Sequence, residues 1–186
     1  MFDVQVCFSR GRAWYGRAIR WLTGSPVNHA FIAFRSTDFP NQRMAVQIDQ
    51  RGVVVVPFDG VVKDDELVEC YAPIGYEDEL ALTAQVGDSA RGLMGEAYDW
   101  LGIWGFLIKL MVWRFLGRRI FNPLHRRGEL FCSEFVSTLL KRARRFVWAR
   151  GLHPASVSPG ALRKMLLARP GQWRLDQVIR HGDLEV

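Results

Sequence analysis

The chain has 186 residues, 49% of them hydrophobic, enough for one compact domain whose core needs no disulfide or metal staple. Its three cysteines, Cys7, Cys70 and Cys132, are odd in number and lack CxxC spacing, which argues against both a disulfide framework and a zinc site. The net charge of +6 is unevenly placed: residues 109 to 150 hold eleven Lys or Arg against only Glu129 and Glu134. Such a block suits an anionic polymer or lipid or is simply a solvated helix face, and no nucleic-acid-binding motif accompanies it.

In chain order, Phe2, Val4, Val6 and Phe8 alternate with Asp3, Gln5 and Cys7, the period of a half-buried strand with Cys7 facing away from the apolar set. Ala13 to Leu22 predicts a short helix with Trp14, Ala18, Ile19 and Leu22 on one side, stopped by Thr23-Gly24-Ser25-Pro26. His29-Ala30-Phe31-Ile32-Ala33-Phe34 reads as a central strand beginning at the histidine. Strands at Met44 to Ile48 and Val53 to Phe58 follow, joined by Asp49-Gln50-Arg51-Gly52, whose glycine can supply a positive φ. A fourth candidate runs from Leu67 to Tyr71. Strands come early and helices late, the pattern of an α+β domain.

The second half opens with a helix from Glu77 to Leu93, with Asp78 and Glu79 in its first turn and Gly95 beyond its end. From Trp100 to Leu116 the chain is very apolar, but Lys109 and Arg114 interrupt it and no uninterrupted run reaches the ~20 residues a bilayer span requires. It reads as a buried helix or lid over the site, with an interfacial helix as the alternative. After Cys132, the positions Val136, Leu139, Leu140, Ala143, Phe146 and Val147 keep helical spacing, leaving Lys141, Arg142, Arg144 and Arg145 on or near the other face. Ser158-Pro159-Gly160 starts a last short helix. Repeats and phosphate-cradling glycine loops are absent, which argues against a nucleotide enzyme.

The chemistry centres on Leu130-Phe131-Cys132-Ser133-Glu134-Phe135, where an apolar run turns into a helical pattern. A thiol at a helix start meets unpaired N–H groups and a partial positive charge that favour thiolate and can hold an oxyanion, although an isolated cysteine is also a common core residue. A thiol nucleophile needs a base, itself oriented by a third polar group. Of the four histidines, His125 and His153 lie beside proline in loop-like segments and His181 lies near the C-terminus, leaving His29 at a buried strand. Gln47, on a neighbouring strand, could reach the far nitrogen of His29 or could simply face solvent.

Four segments then carry a resemblance: Ile19 to Ile32 with its Thr-Gly-Ser turn before His29, Ala45-Val46-Gln47 running on to Gly52-Val53, Gly95-Glu96-Ala97-Tyr98-Asp99-Trp100-Leu101-Gly102, and Phe131-Cys132-Ser133-Glu134-Phe135-Val136. In this order they resemble a circularly permuted member of the NlpC/P60 superfamily of papain-like cysteine hydrolases, the branch with the YiiX/YebB-like and lecithin:retinol acyltransferase-like proteins. The resemblance covers about residues 1 to 165. It implies a central, mostly antiparallel sheet packed by helices in a single domain, 1–186, with an apolar helical insertion at about 100–127. It further implies Cys132 as nucleophile, His29 as general base and later acid, Gln47 as the orienting residue, and Tyr98 beside the oxyanion. Asn28 stands where many relatives have Ser, and Gln47 where many have His, Asn or Glu.

The expected activity is therefore that of a cysteine amidase or endopeptidase acting on peptidoglycan peptides, needing neither cofactor nor metal. A lipid-directed acyl hydrolase or transferase and a non-catalytic phage-tail module are the alternatives. The N-terminal residues lack the features of a secretory signal, so the expectation is cytoplasmic synthesis. Delivery to the periplasm or cell wall would then be by a virion or secretion apparatus, with Lys141, Arg142, Arg144 and Arg145 available for anionic surfaces.

Overall fold

A computed structural model describes residues 4–12, 14–36, 39–49, 51–63, 65–75, 79–94, 97–98, 100–118, 129–142, 151, 153–154 and 157–180. The elements are β1 (Val4–Ser9), α1 (Trp14–Thr23), β2 (His29–Ser36), β3 (Phe39–Asp49), β4 (Gly52–Pro57), α2 (Phe58–Val62) and β5 (Leu67–Pro73). They continue with α3 (Glu79–Arg91), β6 (Ala97–Tyr98), α4 (Trp100–Leu116), β7 (Glu129–Leu130), α5 (Cys132–Arg142), α6 (Pro159–Leu167) and β8 (Trp173–Arg180). Six strands form one antiparallel sheet in the order β4-β3-β2-β1-β5-β8. The fold is α+β, as expected. Asp78, Gly95, Ala143 to Val147, His125, His181 and the end of the expected insertion, up to residue 127, lie outside the described residues.

The β3–β4 hairpin turns through Gly52 at φ +91°, and the Asp49 carboxylate accepts the Arg51 N–H at 2.8 Å, so the turn chemistry read from the sequence is realised. That turn fixes the register that pairs Gln47 with Val54. On one sheet face Val6, Phe8, Ile32, Val46 and Ile48 pack with Phe135, Val136, Leu139 and Leu140 of α5 and with Leu162 and Leu166 of α6. Each fully buried side chain of this size contributes about 1.5–3 kcal/mol.

The strand β1 is not half-buried, as its alternation suggested, but buried on both faces. Cys7 meets Phe31, Ala33, Ala45, Phe58, Val62, Val68 and Cys70 on the second face, where the short helix α2 supplies cover. Cys7 and Cys70 are directly opposed across β1 and β5, their sulfurs 2.8 Å apart. Burial, and then the neighbouring Cys70, push the Cys7 thiol well up, and Cys7 donates to Cys70.

Two expectations about helices change. Trp14 does not join Ile19 and Leu22 in the core but stands 62% exposed, because α1 beds only its Ile19–Leu22 edge against Leu107, Leu110 and Phe131. Nor is α4 a buried helix: Trp104, Ile108, Met111, Trp113, Phe115 and Leu116 are exposed, since its apolar residues run all round while Leu107 and Leu110 pack on α1.

Candidate active site

The site is assembled at one end of the sheet, where β2 begins and α5 begins. Cys132 is the first residue of α5, with the Phe135 N–H closing the first turn onto Phe131 O at 2.9 Å. The start of α5 is pinned by Ser133, whose hydroxyl donates to Val157 O at 2.6 Å just ahead of α6. The parallel pair β6–β7 sets Tyr98 beside Leu130, two residues before Cys132. The side chain of Tyr98 lies outside the described residues.

His29 is the first residue of β2 and is held from behind by the preceding loop. Asn28 is buried, its N–H donates to Ser9 O at 3.0 Å, and its side-chain oxygen accepts from Arg20 at 2.6 Å. Gly16 makes room for that contact, because a Cβ there would stand 2.3 Å from Asn28 Nδ2. The His29 ring stacks on Phe31 with centroids 5.8 Å apart, and its Nε2 lies 3.0 Å from Gln47 Oε1. Gln47 therefore faces the histidine rather than serving as an ordinary solvent-side strand residue.

Cys132 lies close enough to the imidazole for the two charges to act on each other, and its sulfur faces Asn28 O at 4.0 Å. Burial disfavours both charged forms, yet each charge supports the other. His29 lowers the Cys132 thiol below its ordinary value, helped by the backbone N–H groups of Ala30 and Ser133. Against the same burial, the Cys132 thiolate, its hydrogen bond, Gln47 and Asp65 raise His29 to about 9. Each charge thus favours the other, and the pair is biased toward thiolate and imidazolium.

Two further residues belong to this electrostatic set. Tyr15, on α1, is half-buried, and burial followed by the charges of Cys132 and Asp65 raises its phenol, so it stays a neutral O–H. Asp65 follows α2 and acts on both Tyr15 and His29. No local pattern marks either residue: Tyr15 reads as part of an amphipathic helix and Asp65 as one of a run of turn acids. His153 is exposed in a short described segment. Lys141 and Arg142 are exposed in the last turn of α5, and Arg144 and Arg145 lie outside the described residues.

No protein-family model matches the chain, and no curated protein does. Among solved structures it is similar to YiiX from Escherichia coli O157:H7 (DUF1105), described as a metalloprotein. The match has a TM-score of 0.57 at 14% sequence identity and covers 97% of this chain and 89% of that one. The likeness extends to the fold. Among the described residues no three His, Cys, Asp or Glu side chains are grouped to hold a metal ion.

Proposed function

We propose that the chain is a cysteine-dependent hydrolase that cuts an amide bond, with short peptidoglycan peptides as substrate, on a circularly permuted papain-like fold of the NlpC/P60 type. The observation that carries this reading is His29, hydrogen-bonded to Gln47 and electrostatically coupled to Cys132 at the start of α5. The Cys132 thiolate attacks the carbonyl carbon, a C–S bond forms, and the oxyanion develops over the N-terminus of α5. The His29 imidazolium gives its proton to the amine nitrogen as the C–N bond breaks, leaving a thioester. Neutral His29 then takes a proton from water, whose oxygen displaces Cys132 and restores the pair. Tyr15, and Tyr98 as the family resemblance implies, are the phenols available to the oxyanion. No cofactor enters the scheme. The exposed cations Lys141 and Arg142 suit an anionic wall polymer, and carriage by a phage tail or secretion apparatus accords with such a substrate.

A limiting iodoacetamide reaction followed by intact-mass analysis tests the pair. Cys132 should be alkylated first, and His29→Ala should slow it at neutral pH to the rate of an ordinary thiol. Equal rates in the two proteins would remove the dyad. Purified wall peptides should then lose mass on cleavage with wild type and stay intact with Cys132→Ser. A second reading, hydrolysis or transfer of a lipid acyl group through the same thioester, is favoured by the exposed aromatic side of α1 and α4.

A further inference from the structure

The largest group of exposed apolar side chains among the described residues is shared by two helices. Trp14 and Trp21 of α1 and Trp104, Ile108, Met111, Trp113, Phe115 and Leu116 of α4 are all 38% or more exposed. Rings of the two helices join there: Trp14 lies 5.6 Å from Trp104 and Trp21 lies 6.3 Å from Phe115 between ring centroids. Those two contacts also show α1 and α4 running side by side in the same direction. Their shared inner edge is already filled by Ile19, Leu22, Leu107, Leu110 and Phe131, so the aromatic side faces outward.

The charge on these helices has one sign. Neither α1 nor α4 contains an Asp or Glu, and exposed Arg17, Arg114 and Arg118 border the aromatic rings. Indoles mixed with guanidinium groups over an apolar floor match the headgroup zone of a bilayer, where an aromatic ring is half-dehydrated and a cation meets phosphate. A second copy of the chain is a poorer occupant, since it would set these cations against their own kind with no carboxylate on either helix to pair them. Crossing the bilayer is a different matter. No described helix is long and apolar enough for that. The 17 residues of α4 extend about 26 Å, less than the ~30 Å hydrocarbon core, and α1 occupies its other side.

We propose that the α1–α4 face docks flat on an anionic bilayer surface and so holds the Cys132 site at the lipid–water boundary. The site and the face are continuous: Tyr15 feels the Cys132 charge and lies next to Trp14, with ring centroids 6.0 Å apart, while Phe131 of the buried edge immediately precedes Cys132. Docking stands apart from catalysis and does not require the hydrolase reading.

Sedimentation of the full chain with vesicles tests it, using phosphatidylglycerol–phosphatidylcholine mixtures, phosphatidylcholine alone, and a salt series. The expected result is binding to the anionic vesicles that weakens with salt and is weaker on neutral ones. The double change Trp21→Ser with Phe115→Ser should reduce binding at least about tenfold. Both side chains are about two-thirds exposed, so the variant keeps its fold, which the unchanged alkylation rate of Cys132 would verify. Lipids brominated on the acyl chains should quench exposed tryptophan fluorescence, and Cys132→Ser should bind like wild type. Absence of binding to anionic vesicles, or binding unaffected by the double change, would overturn the proposal. So would a concentration-dependent dimer that the double change dissociates, which would make the face a self-interface. Because Cys132→Ser reports docking and lipid-free alkylation reports the dyad, failure of one leaves the other legible.

Discussion

At the scale of single residues, Gln47 fixes which nitrogen of His29 keeps its proton. Its carbonyl oxygen accepts from Nε2 at 3.0 Å, so Nε2 carries a proton in either charge state and Nδ1 is left to exchange one with Cys132. Being neutral, Gln47 supports the imidazolium by a hydrogen bond alone. Gln47→Leu should therefore lower the His29 value and slow Cys132 alkylation at pH 7 by about tenfold, the worth of a hydrogen bond to a charged group. In wild type the alkylation rate should rise as pH passes the lowered thiol value and change again near pH 9 as the imidazolium is lost. Hydrolysis needs the imidazolium as acid, so it should instead decline as pH rises through about 9. Tyr15→Phe separates the two readouts: alkylation should persist while peptide cleavage falls more than about tenfold, because only the latter needs a donor for the oxyanion. Cys132, His29 and Gln47 were legible in the sequence as candidates because each sits at a marked place, a helix start, a strand start and a strand beside a glycine turn. Tyr15 and Asp65 were not, because only the folding of α1 and the α2–β5 connection toward β2 brings their charges to bear on the pair.

Among the elements, α6 owes its position to a polar contact inside an apolar layer. Arg163 reaches Glu69 of β5 through two bonds, 2.5 and 2.9 Å, and the Tyr71 hydroxyl donates to the same carboxylate at 2.8 Å. Burial works against the Glu69 charge, but Arg163 and Tyr71 outweigh it and lower the carboxyl below its usual range. A depressed folded value means that this contribution is complete above the unfolded carboxylate value and is lost as pH falls through the folded one, so the loss begins in acid below about pH 4. Arg163→Met leaves Glu69 buried without its partner and should cost about 3 kcal/mol in urea unfolding at pH 7, less in acid. Gly160→Ala attacks the same helix sterically, since a Cβ would lie 2.3 Å from Ser25 Oγ, and should cost about 1–3 kcal/mol. The elements that pattern reading did not supply are the short or edge-bound ones. The helix α2 has five residues, too few to show a period, and it continues a valine run that reads as strand through Phe58. The strand β8 is buried only at Trp173 and Ile179, so as a sheet edge it offers no alternation to read.

Across the whole molecule, the sheet order separates two halves with different duties. The pairs β2–β3 and β3–β4 carry His29 and Gln47, while β5 and β8 close the other side. The latter half is tied by Gln5 Nε2 donating to Asp176 at 2.5 Å and by Arg43 reaching Gln177 at 2.9 Å. Every group of the site comes from a different stretch of chain: His29 and Gln47 are on separate strands, and Cys132 stands 104 residues from the Asn28 carbonyl it faces. Cys7 and Cys70 meet across 63 residues on the opposite sheet face. The three thiols therefore form a clock for folding. In the unfolded chain all three should alkylate alike; as β1 zips onto β5, Cys7 and Cys70 fall silent, while Cys132 quickens only when α5 settles against β2. Pulse alkylation during refolding would time the closing of the sheet and the arrival of the nucleophile separately, and contacts this distant in sequence predict that the second is among the slow events.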